Sequence, residues 1–230
     1  MPDQVHSTGR RGFLGTVAAG AVSVLGLSSL VKSAPRGLAS MPPPFSPGSD
    51  DSFEAWVGKL KGKHKQVFDA PGLNGGFPFA WARVFLMSNK QSGVPEADVN
   101  AVIVLRHDGI PAAMTHDLWS KYKFGEVFKV TDKATNAPAV RNQWFQPKAG
   151  ELLLPDMSIE ELQKSGVLMG VCDVALTVYS GIVAKNMKMD PAECKKDWVA
   201  GLLPGIQILP SGVYAVNRTQ EAGCTYCFAG

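Results

Sequence analysis

The sequence predicts an α/β fold built on a mainly parallel sheet. Three observations predict it. Short apolar segments alternate with longer segments of helical period through most of the chain, the pattern of strand–helix–strand crossovers. The clearest apolar segment, VNAVIVLRH (Val99–His107), is continuous and β-branched rather than alternating. Such a run suits a strand buried on both faces, as strands of parallel sheets are. Helix-start signals also fall between the strand-like runs, where crossover helices belong.

The elements follow in order. KQVFDA (Lys65–Ala70) is a short strand, and PGLNGG after it is a glycine-rich turn. FPFAWARVFLMSNKQSG carries a broad apolar helical face. Val99–His107 is the second strand, and IPAAMTHDLWSKYKFG a helix that ends at Gly125. Residues from Glu126 to Glu151 have the least periodic sequence in the chain and are expected to be irregular, with room for one further strand. SIEELQKSG opens with Ser158, has Glu161 three residues on, and stops at Gly166. That is a capping box, in which the serine side chain accepts a free N–H of the first turn. VLMGVCD is the third strand and VALTVYSGIVAKNM a buried helix. Asp190-Pro191 starts the next helix, since Asp accepts free N–H groups and Pro lacks the one that would be orphaned. IQILP is the fourth clear strand, and SGVYAVNRTQEAG a last helix stopped by Gly223.

The first 40 residues have a different character. Arg10-Arg11-Gly12-Phe13-Leu14 precedes an Ala/Gly-rich apolar run from about Thr16 to Val31, then Lys32 and small residues. Basic start, short apolar middle and small-residue region form the layout of a secretory signal. The run is shorter than the roughly 20 apolar residues of a spanning helix, so no stable membrane anchor is expected after cleavage. The paired arginines resemble a twin-arginine (Tat) export signal. That resemblance implies a signal and cleavage region over residues 1–40 and residence in the periplasm. Residues 41–52 are a Pro/Ser linker, and 53–230 are expected to form a single domain. Without residues 1–40, Lys+Arg falls from 23 to 19 and Asp+Glu from 20 to 19, so the formal charge of +3 belongs to the leader. The near-neutral remainder offers no basic surface for nucleic acid.

In parallel sheets, reactive groups lie beyond the carboxyl ends of the strands. That rule nominates Asp69 to Gly76, His107, Cys172 with Asp173, and Pro210 to Gly212. Cys172 stands where a strand hands over to a helix. The free N–H groups and partial positive charge of a helix start favour thiolate there. The structural alternative is a small residue packed beneath the sheet. His107 is either an acid/base neighbour that tunes Cys172 or a histidine hydrogen-bonded at the edge of the core. Cys172 and His107, with Met114, also form a soft donor set that could hold Cu(I). Cys194, in a charged helix, is expected half-exposed and incidental. The chain closes on GCTYCFAG. Phe228 stands where a haem attachment motif needs His, and no second C-x-x-C completes a zinc site. Cys224 and Cys227 are left as a local disulfide or as resolving thiols for Cys172.

LQKSGVLMGVCDVAL and LPGIQILPSGVYAVNRTQEAGCTY resemble the DsrE/DsrF-like sulfur-relay family. The likeness spans roughly Lys65–Tyr226 and is strongest over Leu162–Tyr226. It implies a three-layer, flavodoxin-like domain that assembles as a trimer or hexamer. It further implies a persulfide on Cys172 and a sulfur-relay protein as partner, hence a persulfide carrier or sulfurtransferase-like protein. The chain departs from the family pattern in its export leader, in an insertion near residues 126–155 and in the C-x-x-C tail. Two readings from other classes stand beside this one: a non-catalytic module binding a metal or small ligand at the same strand edge, and a structural oligomer.

Overall fold

A computed structural model describes residues 50–154 and 156–230. The expected leader, and the linker up to residue 49, lie outside the described residues. The described residues begin with a helix that overlaps the end of the expected linker, α1 (Asp50–Val57), whose Phe53, Trp56 and Val57 are buried.

The sheet has five strands: β1 (His64–Ala70), β2 (Val99–Leu105), β3 (Leu168–Cys172), β4 (Ile206–Leu209) and β5 (Thr225–Phe228). Their order is β4-β3-β2-β1-β5, and every pairing is parallel. The helices are α2 (Phe77–Gln91), α3 (His116–Lys121), α4 (Phe124–Val127), α5 (Ile159–Lys164), α6 (Asp173–Met187), α7 (Pro191–Ala200) and α8 (Gly212–Glu221). The arrangement is a three-layer, flavodoxin-like α/β fold, as expected.

Period-two alternation along the strands divides the core in two. Phe68, Ala70, Ile103, Leu105, Met169 and Val171 face one core, with α2, α6 and α7 behind Phe79, Leu176 and Trp198. Val67, Val102, Val104 and Leu209 face the other, covered by Phe53 and Trp56 of α1 and Ala215 of α8. Connectivity accounts for this split. From β1 to β4 the chain steps across the sheet in one direction. It then returns to the far edge for β5. Right-handed crossovers therefore place α8 on the face opposite α2 and α6.

The capping signals hold. Ser158 Oγ accepts from Glu161 N at 3.2 Å, and Asp190 Oδ1 accepts from Ala192 N and Glu193 N at 2.9 and 3.0 Å. Three expectations need correction. β2 ends at Leu105, and His107–Ala113 is a 3-10 segment. The single helix expected over 110–125 is broken into α3 and α4, with Lys123 in the left-handed region at φ 51°. The fifth strand is not in the irregular region, which holds only an isolated bridge between Thr131 and Pro138. It is the tail itself: Thr225, Tyr226 and Phe228 are good strand formers, and they find an open edge on β1.

The insertion is anchored rather than loose. Asn142 is fully buried, and its amide donates to the carbonyls of Ala112 and Met114 at 2.8 and 2.9 Å. Trp144 packs against Phe79 and Trp119. None of the described helices is long and apolar enough to cross a membrane.

Candidate functional site

The carboxyl ends of β2, β3 and β4 meet around a cleft of about 190 Å³. β3 leads into α6 on one face and β4 into α8 on the other, so the two chains part between neighbouring strands. That is the topological switch point, where open α/β sheets leave a crevice. Arg106 and His107 line it from β2, Cys172 from β3, and Ser211 to Val213 from β4. Val174, Ala175 and Val178 add an apolar wall from α6, with Tyr179 beside them.

Cys172 caps α6. Its Sγ accepts a hydrogen bond from Ala175 N at 3.3 Å, and the residue is 6% exposed. A thiol in a helix cap faces N–H groups that have no intrahelical partner, and here Sγ serves one of them as acceptor. Asp173 follows it in the first turn of α6, where a carboxylate suits the helix dipole. Lys195 pairs with Asp173 at 2.8 Å. The negative charge beside Cys172 is thus compensated.

Arg106 is the residue that the sequence reading passed over. Nε and Nη2 meet the two oxygens of Asp69 at 2.6 and 2.8 Å, and Nη1 contacts His107 Nδ1 at 3.1 Å. Asp69 is 3% exposed and also accepts from Tyr226 Oη at 2.9 Å. The carboxylate holds the guanidinium above its ordinary range, and the positive charge lies near enough to interact with Cys172. Two small signals were present: an acidic residue within the buried run KQVFDA, and Arg106 at the end of a fully buried strand. Gly212 completes the fit, because a Cβ there would stand 2.7 Å from Arg106 Cβ.

Cys172 and His107 are therefore brought to one cleft. His107 is exposed, with a left-handed backbone at φ 45°. Met114 is not brought there: it is fully buried in the first core, with its backbone bridged to Leu202. No group of three or more His, Cys, Asp and Glu residues suited to a metal occurs among the described residues. Cys194 is fully buried rather than half-exposed, and burial pushes its thiol pKa up.

The tail cysteines do not join the cleft. Cys227 is in register with Phe68 of β1, and β1 and β2 stand between β5 and β3. Three strand spacings separate the two edges, roughly 14 Å, beyond the 7 Å limit on Cα separation for a disulfide. The two also part from one another. Cys224 is buried in the second core, and Cys227 packs against the first. All four cysteines are free thiols. Burial raises Cys227 and pushes Cys224 up to about 11.

Tyr179 Oη donates to Asp108 Oδ1, and burial together with that bond pushes the phenol up to about 12. The hydroxyl therefore stays protonated as a donor in the cleft wall. The site offers a capped thiol, a fixed guanidinium and an apolar wall. That set suits attack by sulfur on a small or peptide-borne group. No known family model matches this chain, and no curated protein matches it.

Proposed function

We propose that this protein handles sulfur through Cys172, as a persulfide carrier or sulfurtransferase-like protein exported to the periplasm. The observation that carries the reading is Cys172 Sγ, held in the cap of α6 within a cleft that also contains Arg106. The resemblance over Leu162–Tyr226 to sulfur-relay proteins supports the same assignment. In the loading step the Cys172 thiolate attacks the outer sulfur of a donor persulfide. A new S–S bond forms at Cys172, the donor's S–S bond breaks, and the donor leaves as a thiolate. Unloading is the same displacement by an acceptor thiolate, so no net oxidant is needed. Arg106 supports the anionic sulfur in both steps. His107, at the mouth, tunes the guanidinium through its ring nitrogen. Self-association and a protein partner that donates or accepts sulfur belong to this reading.

The second reading is a binding module without turnover. The apolar wall of Val174, Ala175, Val178 and Val213 favours it, because such a surface holds a small apolar ligand without using the thiol.

Timed alkylation of the folded, reduced protein, followed by mass spectrometry, separates the two. Cys172 is expected to be labelled first, and incubation with a low-molecular-weight persulfide to add one sulfur that Cys172→Ser abolishes. Cys224, buried and pushed up to about 11, is expected to be labelled last at neutral pH. An inert Cys172 beside unchanged binding of apolar probes would overturn the sulfur reading in favour of the second.

A further inference from the structure

We infer that the sulfur donor to Cys172 is a small organic persulfide whose substituent is uncharged, apolar and about the size of one aromatic ring. The inference rests on the sulfur-handling reading of Cys172 and specifies its donor. The apolar wall and the thiol then serve one molecule: the wall holds the substituent and Cys172 takes the sulfur.

Size is the first observation. The cleft measures about 190 Å³. An apolar pocket of about 150 Å³ takes benzene, so this one takes a ring or a branched alkyl group together with a sulfur atom. A peptide substituent would have to stay outside it. The second observation is the chemistry of the walls. Val174, Ala175 and Val178 come from the first two turns of α6, and Val213 from the first turn of α8. Val178 and Val213 are 38% and 68% exposed although both are apolar. Ile182, one turn beyond Val178 on α6, is 50% exposed and carries the strip outward. Apolar side chains from two helices thus stand open to water at the mouth of one cleft. Covering them with an apolar substituent removes that surface from water.

The polar groups of the lining argue against a charged substituent, because each already has a partner. Arg106 is matched by both oxygens of Asp69 and touches His107 Nδ1. Tyr179 donates to Asp108, and Ser211 Oγ accepts from Tyr214 N at 3.2 Å to cap α8. Among the described residues, no lysine and no carboxylate lines the cleft. A charged group entering it would lose water and find no unmatched counter-charge in the wall. The transfer balances without further reagents. The Cys172 thiolate attacks the outer sulfur of R–S–SH, the S–S bond of the donor breaks, and R–S⁻ leaves with the electron pair and takes a proton from water. Cys172 keeps the outer sulfur as its persulfide, and an apolar thiol departs.

Four methanethiosulfonates, applied to the reduced full chain and read at Cys172 by mass spectrometry, test the substituent. Their transferred groups are methyl, benzyl, hydroxyethyl and sulfonatoethyl. Each gives its R–S group to a thiolate and releases methanesulfinate, and each rate is divided by the rate with free cysteine. The benzyl reagent is expected to exceed the hydroxyethyl and sulfonatoethyl reagents by about tenfold. Two variants then probe the wall through the ratio of benzyl to methyl rates. Val213→Asp places an acid in the first turn of α8, where it suits the helix start and leaves the fold intact. Val178→Thr changes polarity at nearly constant shape. Each is expected to lower the ratio by about threefold. Equal normalised rates for the four reagents, or a benzyl preference that neither variant lowers, overturn the inference and leave the sulfur reading standing. Failure of Cys172 to react with any of the four overturns the sulfur reading and the inference with it.

Discussion

At the scale of single residues, the pairing of Asp69 with Arg106 decides the character of the Cys172 cleft. Asp69 is almost wholly buried, and Arg106 supplies its charge partner in bidentate geometry. Arg106→Ala leaves that carboxylate with Tyr226 Oη alone. The expected loss is about 3 kcal/mol of stability, because a buried charge without its partner costs more than the pair contributes. Urea denaturation of the variant checks it, and alkylation of Cys172 in the folded fraction is expected to slow in parallel. An unchanged midpoint would mean that Asp69 is not charged in the fold. Cys172 itself was legible in the sequence, since a cysteine between an apolar run and a helical one has few other places to go. Arg106 was not, because an arginine at a strand end is ordinarily solvated. Only the position of Asp69 on the neighbouring strand makes it a buried partner.

At the scale of elements, the tail is the instructive case. GCTYCFAG, taken alone, invites reading as a redox or disulfide motif. As β5 it is an edge strand, and neighbouring residues on a strand point to opposite faces. Cys224 and Cys227, three positions apart, therefore belong to different cores. Mild oxidation of the folded protein is expected to leave both unlinked. Alkylation and mass spectrometry under non-reducing conditions should count four free thiols, matching the structure. A two-proton mass loss located at residues 224–227 would show that the strand yields to the disulfide. Other elements were readable where their chemistry is local. Capping by Ser158 and Asp190 depends on residues three apart or fewer. The break between α3 and α4 was not readable, because Gly125 is fixed by contact with Pro138 and Ala139 of the insertion.

At the scale of the whole molecule, the reversal of direction after β4 creates the site. Had β5 continued outward from β4, α8 would lie on the same face as α6, and no crevice would open between Cys172 and Gly212. The same reversal carries Cys224 into the second core beneath α8. Its thiol is raised from an ordinary 9.0 to about 11, chiefly by burial. Folding thus favours the neutral thiol. This contribution is complete below pH 9 and is lost as the pH climbs towards 11, amounting to about 2–3 kcal/mol. Cys194, also raised by burial, acts in the same direction. Thermal unfolding followed from pH 8 to 11 is expected to show falling stability, with a shallower fall in Cys224→Ala. Identical slopes in the two proteins would place the alkaline transition elsewhere.

The sequence by itself determined the fold class, the first four strands of the sheet and the placement of Cys172 at a strand–helix junction. Apolar continuity, helical period and capping chemistry are properties of neighbours along the chain, so they survive translation into one dimension. Tertiary structure alone decided the fifth strand, the Asp69–Arg106 pair and the separation of Cys224 and Cys227 from Cys172. Each depends on which distant segments lie side by side. Strand order and crossover direction settle that, and both are set by how all the apolar faces are buried together.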